Sequence, residues 1–176
     1  YITISTGVGC GLVHGRRIVD GGAFAARELG HFKVIRDGRP CSCGGRGCLE
    51  AYASGTAVAR IASERYGRSM DAKEVYALAR RGDPPASVVV REAAELLGYA
   101  VAAVYQLFDP DIVVLGGSVT RDFDVFSDVL LASAEAYIQP IPGRKVRLAV
   151  SEFDGDQVAL GAAWYAADTR GLTKSE

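Results

Sequence analysis

The sequence lacks an excess of charge of either sign: 20 lysines and arginines stand against 21 aspartates and glutamates, a formal net charge of −1 at pH 7. Surfaces that bind nucleic acid normally carry a basic excess, so this balance argues against that class of protein. No apolar run is long enough for a bilayer-crossing helix, and no secretory signal pattern opens the chain. With 49% hydrophobic residues, the 176-residue chain is expected to form one globular domain in the cytoplasm, where thiols stay reduced.

Histidine and cysteine are also scarce, and most of them are concentrated in one stretch. One of the two histidines and three of the four cysteines lie in residues 27–50, RELGHFKVIRDGRPCSCGGRGCLE. One imidazole and three thiolates are a ligand set that closes a tetrahedral structural zinc site, with no position left open for chemistry. The candidate ligands are His31, Cys41, Cys43 and Cys48.

Other interpretations of these cysteines remain at the level of sequence. A disulfide is disfavoured, because a cystine between such close cysteines is strained and because any pairing leaves one of the three thiols unpaired. Free cysteines are often small buried hydrophobic residues, but the stretch CSCGGRGC is polar and rich in glycine. A zinc ribbon that grips nucleic acid is disfavoured too, because aromatic and basic residues are not interleaved around the cysteines.

The first part of the chain predicts strands. Residues 1–5 alternate apolar and small hydroxyl side chains, which is typical of a strand with one buried face. A tight turn at 6–9 is followed by strand-like stretches at 10–14 and 18–20. Together these stretches predict a three-stranded antiparallel meander.

The rest of the chain predicts helices and then alternating strands and helices. Predicted helices cover 50–66 with an interruption at 54–56, 71–81, 87–108, 124–138 and 157–167, and predicted strands cover 112–115 and 145–151. The apolar run at 112–115 is typical of a parallel strand buried on both faces. Because helices separate the last two strands, right-handed parallel crossovers are expected.

Two glycine-rich turns are candidates for phosphate contact. Thr6 offers a hydroxyl, and Gly7 and Gly9 expose backbone N–H groups that can form a concave donor site. Gly116 and Gly117 directly follow the apolar strand, and ligands of open α/β sheets sit beyond the carboxyl ends of the strands. Taken alone, each pattern is at least as well explained by an ordinary turn.

The pattern GHx9CxCGx2GCxE, from Gly30 to Glu50, resembles the zinc motif of the ROK family, which contains bacterial sugar kinases and sugar-responsive transcriptional repressors. The stretches ITISTGVGCGLVHG before it and CLEAYASGTAVA after it resemble the same family. The order of the predicted elements is then that of the ribonuclease-H-like half of an actin-type or hexokinase-type α/β fold, with a zinc-bound insertion.

The resemblance implies a single C-terminal domain over residues 1–176. Its parts are a zinc segment at 27–50, an all-helical stretch at 50–108 and a βα core at 111–168. Neither the DxGGTxxR phosphate loop of such kinases nor their Asn-Asp pair is found in the sequence. We therefore expect an absent N-terminal domain that supplies the catalytic aspartate, and no catalytic residue in this chain.

The resemblance also implies roles for individual residues. Glu28, His31 and Glu50 are expected to contact sugar hydroxyls, with one ring nitrogen of the histidine on zinc and the other donating to the sugar. The turn at residues 6–9 matches a phosphate loop of the family. Arg27 departs from the small residue that the family usually has in AGEIGH, and its cation could alter the sugar pocket or pair with Glu28.

Two functions follow from the resemblance. The first is phosphoryl transfer from ATP, with Mg²⁺, to a hexose by the complete enzyme, with this chain alone inactive because the proton acceptor is missing. The second is the sugar-sensing domain of a repressor, which contacts nucleic acid only through an upstream winged helix-turn-helix. The stretch CLEAYASGTAVAR looks closer to the kinases. A homodimer without membrane contact is expected in either case.

Overall fold

The computed structural model describes residues 1–22, 26–153 and 156–169. Its strands are β1 (Ile2–Ile4), β2 (Val8–Cys10), β3 (Val13–His14), β4 (Arg17–Ile18), β5 (Val113–Gly116) and β6 (Leu148–Val150). Within these residues, one four-stranded sheet has the order β2-β1-β5-β6. The pairing of β1 with β2 is antiparallel, whereas the pairings of β1 with β5 and of β5 with β6 are parallel. The two parallel strands predicted late in the chain therefore flank each other in the main sheet.

The predicted three-stranded meander is not found as one sheet among the described residues. Strands β3 and β4 pair with each other in a separate two-stranded sheet. The chain changes partner at Gly11 and Leu12: the Gly11 N–H donates to the Tyr1 carbonyl at 2.8 Å, whereas the Leu12 carbonyl accepts from Val19 N–H at 2.9 Å. The stretch predicted as one strand at 10–14 is thus divided between two hairpins.

The helices are α1 (Glu50–Ala53), α2 (Gly55–Tyr66), α3 (Ala72–Arg80), α4 (Pro84–Phe108), α5 (Ser127–Tyr137) and α6 (Gln157–Thr169), with 3₁₀ segments at Leu29–His31 and Ser118–Val125. Two side chains cap the N-termini of these helices. The Ser54 hydroxyl accepts from Ala57 N–H at 3.1 Å, and the Asp71 carboxylate accepts from Glu74 N–H at 2.7 Å. The interruption predicted at 54–56 is therefore the boundary between α1 and α2.

The start of α4 differs from the prediction. The sequence predicts a helix from residue 87, but α4 begins three residues earlier at Pro84, and the Asp83 carboxylate accepts from Ala86 N–H at 3.1 Å. Proline is tolerated there because the first N–H groups of a helix have no intrahelical partner. The helix ends at Asp109, which has a left-handed φ of 43°.

Helix α4 forms much of the core. Val89, Leu97, Val101 and Tyr105 on this helix are at most 3% exposed. The Tyr105 hydroxyl donates to the Arg147 carbonyl at 2.9 Å and accepts from the Arg147 N–H at 2.8 Å, which fastens the helix to the chain just before β6. Although α4 is long, it is not apolar enough to cross a membrane, and no other helix in the described ranges is long and apolar enough to do so. The helix supports the sheet from which the candidate site is built.

Candidate metal centre and ligand site

The predicted zinc ligands converge in space. One ligand atom from each of His31, Cys41, Cys43 and Cys48 lies within 4.8 Å of the others. The Cys41 sulfur is 3.8 Å from His31 Nδ1, and the Cys43 sulfur is 3.7 Å from the Cys48 sulfur. All four cysteines of the chain are free. Three sulfurs and an imidazole nitrogen in one small volume fit a tetrahedral zinc ion, so this cluster could hold one.

Short backbone pairings bring the cluster together. His31 ends the first 3₁₀ segment, and isolated antiparallel bridges join Lys33 to Cys48 and Pro40 to Arg46. The stretch therefore folds back on itself as a small hairpin, with its cysteines at the closed end and at the return. Cys48 is fully buried, whereas the Cys43 side of the cluster is exposed. A hydrogen bond from the backbone of Gly45 lowers the pKa of the Cys43 thiol, which favours the thiolate that binds metal.

The two ring nitrogens of His31 face different groups. Nδ1 faces the cluster through Cys41, and Nε2 lies 3.9 Å from a carboxylate oxygen of Glu28. The side chains of His31 and Glu28 are 37% and 63% exposed, so a dissolved ligand can reach both. One nitrogen is thus placed for a metal and the other for a polar ligand, and these roles remain predictions.

Glu50 connects the metal segment to the first glycine turn. Its Oε2 accepts from Val8 N–H at 3.0 Å, and its Oε1 accepts from the Ser42 hydroxyl at 3.3 Å. Ser42 lies between two of the candidate ligands, and Val8 lies in the turn predicted to contact phosphate. A side chain at Gly7 would overlap the same carboxylate. Sequence patterns contain no signal for this link, because it joins residues that are 42 positions apart.

The two glycine turns lie at the same edge of the sheet. β1 and β5 run parallel, with Thr3 opposite Gly116, so both strands end on one side. The hydroxyl oxygens of Ser5 and Ser118 are 3.0 Å apart across this edge. Neither serine was among the predicted site residues, although each stands beside a glycine turn in the sequence. The structure therefore adds two hydroxyl groups to the candidate phosphate site.

The backbone conformation and the close packing at position 117 require glycine there. Its φ of 94° is strained for any residue with a side chain, and a Cβ there would overlap the carbonyl oxygen of Ile4. The close approach packs the turn after β5 directly on the end of β1. This contact keeps the two turns together.

An ion pair fastens the 3₁₀ segment that follows Gly117. Arg80 on α3 donates to Asp124 at 2.7 and 3.1 Å and to Asp122 at 3.0 Å. Hydrogen bonding to the Arg80 guanidinium lowers the pKa of the Asp124 carboxyl. Because these groups are largely solvated, the pairs contribute little stability. They orient the segment more than they stabilise it.

Arg27 does not pair with Glu28 in the described structure. Its guanidinium lies 3.6 Å from Asp20, and its side chain is 19% exposed. Its φ of 74° lies in the left-handed region, where a residue with a Cβ is strained. The backbone at Arg27 therefore has a conformation that suits glycine.

We expect Arg27→Gly to be more stable than Arg27→Ala by about 1 kcal/mol, because only alanine keeps the left-handed strain once the ion pair with Asp20 is lost. Urea unfolding of both variants measures the difference. The matched control is Arg36, which is 97% exposed and has no left-handed φ. There the glycine variant is expected to be no more stable than the alanine variant. Equal stabilities of the two Arg27 variants would contradict the strain argument.

The mixed sheet, the packed helices and the Cys₃His cluster define an α/β domain of the actin and hexokinase type, the fold of the sugar kinases that it superposes on. The chain belongs to the ROK family, whose family model matches residues 1–169. The predicted family and the α/β fold of the actin and hexokinase type are thereby confirmed, whereas the zinc-bound insertion stays a prediction.

Among curated relatives, the chain is 34% identical over 179 residues to a glucokinase of Halalkalibacterium halodurans, covering 93% of this chain and 54% of the relative. It is 36% identical over 169 residues to an N-acetylmannosamine kinase of Vibrio vulnificus, again covering 93% and 54%. The chain thus spans about half the length of the curated relatives it matches.

Solved structures of ROK proteins also superpose on this chain. The ROK hexokinase of Thermus thermophilus superposes with a TM-score of 0.87 at 36% identity, over 93% of this chain and 56% of that one. A ROK glucokinase of Streptomyces griseus, solved with glucose and AMPPNP, gives 0.84 at 30% identity, over 93% and 58%. A ROK transcriptional regulator, a homolog of the E. coli MLC protein, gives 0.76 at 27% identity, over 85% and 40%.

Proposed function

We propose that this chain is the C-terminal, sugar-binding and metal-binding half of an ATP-dependent hexose kinase of the ROK type. The observation that carries the proposal is the Cys₃His cluster flanked by Glu28 and Glu50, with Glu50 bonded to the glycine turn at the edge where β1 and β5 end. The groups proposed to bind the sugar and those proposed to bind phosphate are therefore linked through Glu50. The similarity to glucokinases and to N-acetylmannosamine kinases supports the same function.

On the sugar side, Glu28, His31 and Glu50 would bind hydroxyl groups. Carboxylates are strong acceptors, and each oxygen of Glu50 keeps acceptor capacity beyond its bond to Val8 or Ser42. His31 would donate to the sugar from Nε2. A zinc ion held by His31 and the three cysteines would have a structural role and would fix the tautomer and plane of the imidazole.

On the nucleotide side, the backbone N–H groups of the two glycine turns would bind ATP phosphates, with Mg²⁺ neutralising their charge. The residues concerned are Thr6, Gly7, Gly9, Gly116 and Gly117. The hydroxyls of Ser5 and Ser118 lie at the same edge and can donate as well. Transfer to a sugar hydroxyl also needs a proton acceptor, and we propose that the remainder of the full-length protein supplies it.

The exposed apolar side chains of α6 support the proposal that this chain is part of a larger protein. Val158, Leu160, Trp164 and Tyr165 on this helix are between 42% and 70% exposed, an unusual concentration of apolar surface. We propose that residues 1–176 form a single domain. We also propose that an N-terminal domain covers the exposed face of α6, and that its length is the length by which the relatives exceed this chain. A homodimer and a cytoplasmic location, which keeps the thiols reduced, complete the proposal.

A sugar-sensing domain of a ROK repressor is the second candidate. The regulator that superposes at 27% identity favours it, since that protein shares the fold. In that case the same three side chains would bind sugar without phosphorylating it, and nucleic acid would be contacted only by an upstream helix-turn-helix. The kinase is preferred because the relatives named as kinases match this chain at higher identity.

We expect the longer protein that contains this chain to phosphorylate glucose or an acetylated amino hexose. We expect the 176-residue chain alone to be inactive, because the Asn-Asp pair whose aspartate accepts the proton in such kinases is not found in its sequence. Coupled measurement of ADP release distinguishes the two. In the longer protein, Glu28→Gln should lower kcat/KM roughly 10- to 100-fold through the loss of a charge-assisted hydrogen bond.

The matched control is Glu95→Gln, since Glu95 is exposed on α4 and is not one of the predicted site residues. Phosphorylation by the isolated chain would contradict the division of the active site. Sugar binding by the longer protein without any phosphorylation, together with sugar-dependent DNA binding, would favour the repressor.

A further inference from the structure

Lys33 lies against the metal cluster but is not one of its candidate ligands. Its ammonium nitrogen is 2.7 Å from the sulfur of Cys48. We propose that Lys33 is a positioning residue of the metal centre: its ammonium donates a hydrogen bond to the Cys48 sulfur and neutralises the excess negative charge of a zinc ion bound by three thiolates. This inference rests on the proposed zinc centre and is independent of sugar phosphorylation.

The backbone fixes this contact. Lys33 and Cys48 are directly opposite each other in an isolated antiparallel bridge. Hydrogen bonds on either side hold the register: Val34 N–H donates to the Gly47 carbonyl at 2.9 Å, and Leu49 N–H donates to the Phe32 carbonyl at 2.9 Å. Residues opposite each other in an antiparallel pair project to the same face, so the register places the lysine beside the sulfur.

The neighbourhood of the ammonium is made of sulfur groups. Besides its hydrogen bond to Cys48, Lys33 interacts electrostatically with Cys41 and Cys43. Gly45 leaves the space that this arrangement needs: a Cβ there would be 2.6 Å from the Lys33 nitrogen and 3.5 Å from the Cys43 sulfur. An exposed lysine ordinarily points into solvent, whereas this one is directed at the cluster.

Charge explains what the lysine does. A zinc ion with three thiolates and a neutral imidazole carries a formal charge of minus one, and Cys48, which is fully buried, is shielded from water. An ammonium beside that sulfur restores neutrality, and its N–H draws electron density from the thiolate. Removal of the ammonium is therefore expected to weaken the hold of the cluster on the metal. Groups that hydrogen-bond to metal ligands typically change metal affinity by roughly 10- to 100-fold when they are removed.

The test compares zinc affinity in the purified protein by competition with a chromophoric chelator. Lys33→Met, which has similar length without charge, is expected to bind zinc at least about tenfold more weakly, and Lys33→Arg is expected to retain most of the affinity. Gly45→Ala, whose Cβ would crowd the ammonium at 2.6 Å and make only an ordinary contact with the Cys43 sulfur at 3.5 Å, should weaken zinc binding in the same direction. Lys73→Met, an exposed lysine on α3, is the matched control and should have no effect.

A second readout separates this role from folding. After cobalt substitution, the sulfur-to-metal charge-transfer band of Lys33→Met should shift relative to the unsubstituted protein, because the hydrogen bond to sulfur is gone. Equal zinc affinity and an unshifted band in Lys33→Met would overturn the inference, as would an arginine variant as weak as the methionine variant. Failure of the unsubstituted protein to bind zinc would instead overturn the metal centre itself.

Discussion

Replacing Cys43 by serine is expected to abolish tight zinc binding and, at a distance, to weaken sugar binding by roughly tenfold or more. Serine keeps the size of the side chain but not the thiolate, and a site with four protein ligands loses one of them. Structural zinc contributes on the order of 10 kcal/mol to folding in small zinc domains, so the segment at 27–50 should loosen when the metal leaves. Cys43 is suited to the test because it is exposed, so packing is hardly disturbed.

The effect on sugar passes through His31. Its Nδ1 faces the cluster, and its Nε2 faces Glu28, so the donor side of the ring is oriented only while the cluster is closed. Loss of the hydrogen bond from His31 costs about 0.5–1.5 kcal/mol, and displacement of the Glu28 carboxylate in the same loosened segment adds to it, which together give the tenfold expectation. Metal content per chain and calorimetric sugar affinity of the full-length protein measure the two effects.

Cys10→Ser is the matched control for this prediction. Cys10 is a free cysteine at the end of β2 and lies outside the four-residue cluster. Its substitution is expected to leave zinc content unchanged. A Cys43→Ser variant that is folded and free of zinc, yet binds sugar with unchanged affinity, would show that the metal does not orient the sugar site.

Local signals in the sequence predicted the parts of the site that are held locally. The candidate ligands fall within 18 residues, so their spacing and the glycines between them already indicated that they meet. The cap at Asp71 is local in the same way, because the capping carboxylate and the N–H that donates to it are three positions apart. Family resemblance then supplied the fold.

Contacts between distant parts of the chain could not be predicted in this way. The bonds from Val8 to Glu50 and from Ser5 to Ser118 depend on which strands end at the same edge of the sheet. Hydrophobic periodicity predicts that a strand exists but not which neighbour it pairs with. The predicted meander was wrong partly for this reason: its middle stretch at 10–14 is divided between β2 and β3, which pair in different sheets, and β2 begins at Val8, inside the predicted turn. The role proposed for Lys33 was missed because it depends on the register that places this lysine opposite Cys48, and local patterns do not predict that register.

Substitution of Gly98 by alanine is expected to destabilise the protein by about 1–3 kcal/mol, although alanine is normally the better helix former. Gly98 lies in the middle of α4, where the helix crosses α5. A Cβ at this position would lie 2.7 Å from the Ser133 Cβ and 2.9 Å from the Ala134 nitrogen, and it would overlap the Leu130 carbonyl oxygen. Backbone atoms cannot rotate away as a flexible side chain can, so the two helices must separate.

The matched control for Gly98 is Gly161 in α6, where an added Cβ would meet no atom of the described residues within 4 Å. Gly161→Ala should gain helix propensity and stabilise the helix by up to about 1 kcal/mol, so the same substitution is expected to have opposite signs at the two sites. Denaturant unfolding followed by far-ultraviolet circular dichroism measures both. If Gly98→Ala proved as stable as Gly161→Ala, close packing between α4 and α5 at Gly98 would not contribute to the stability of the protein.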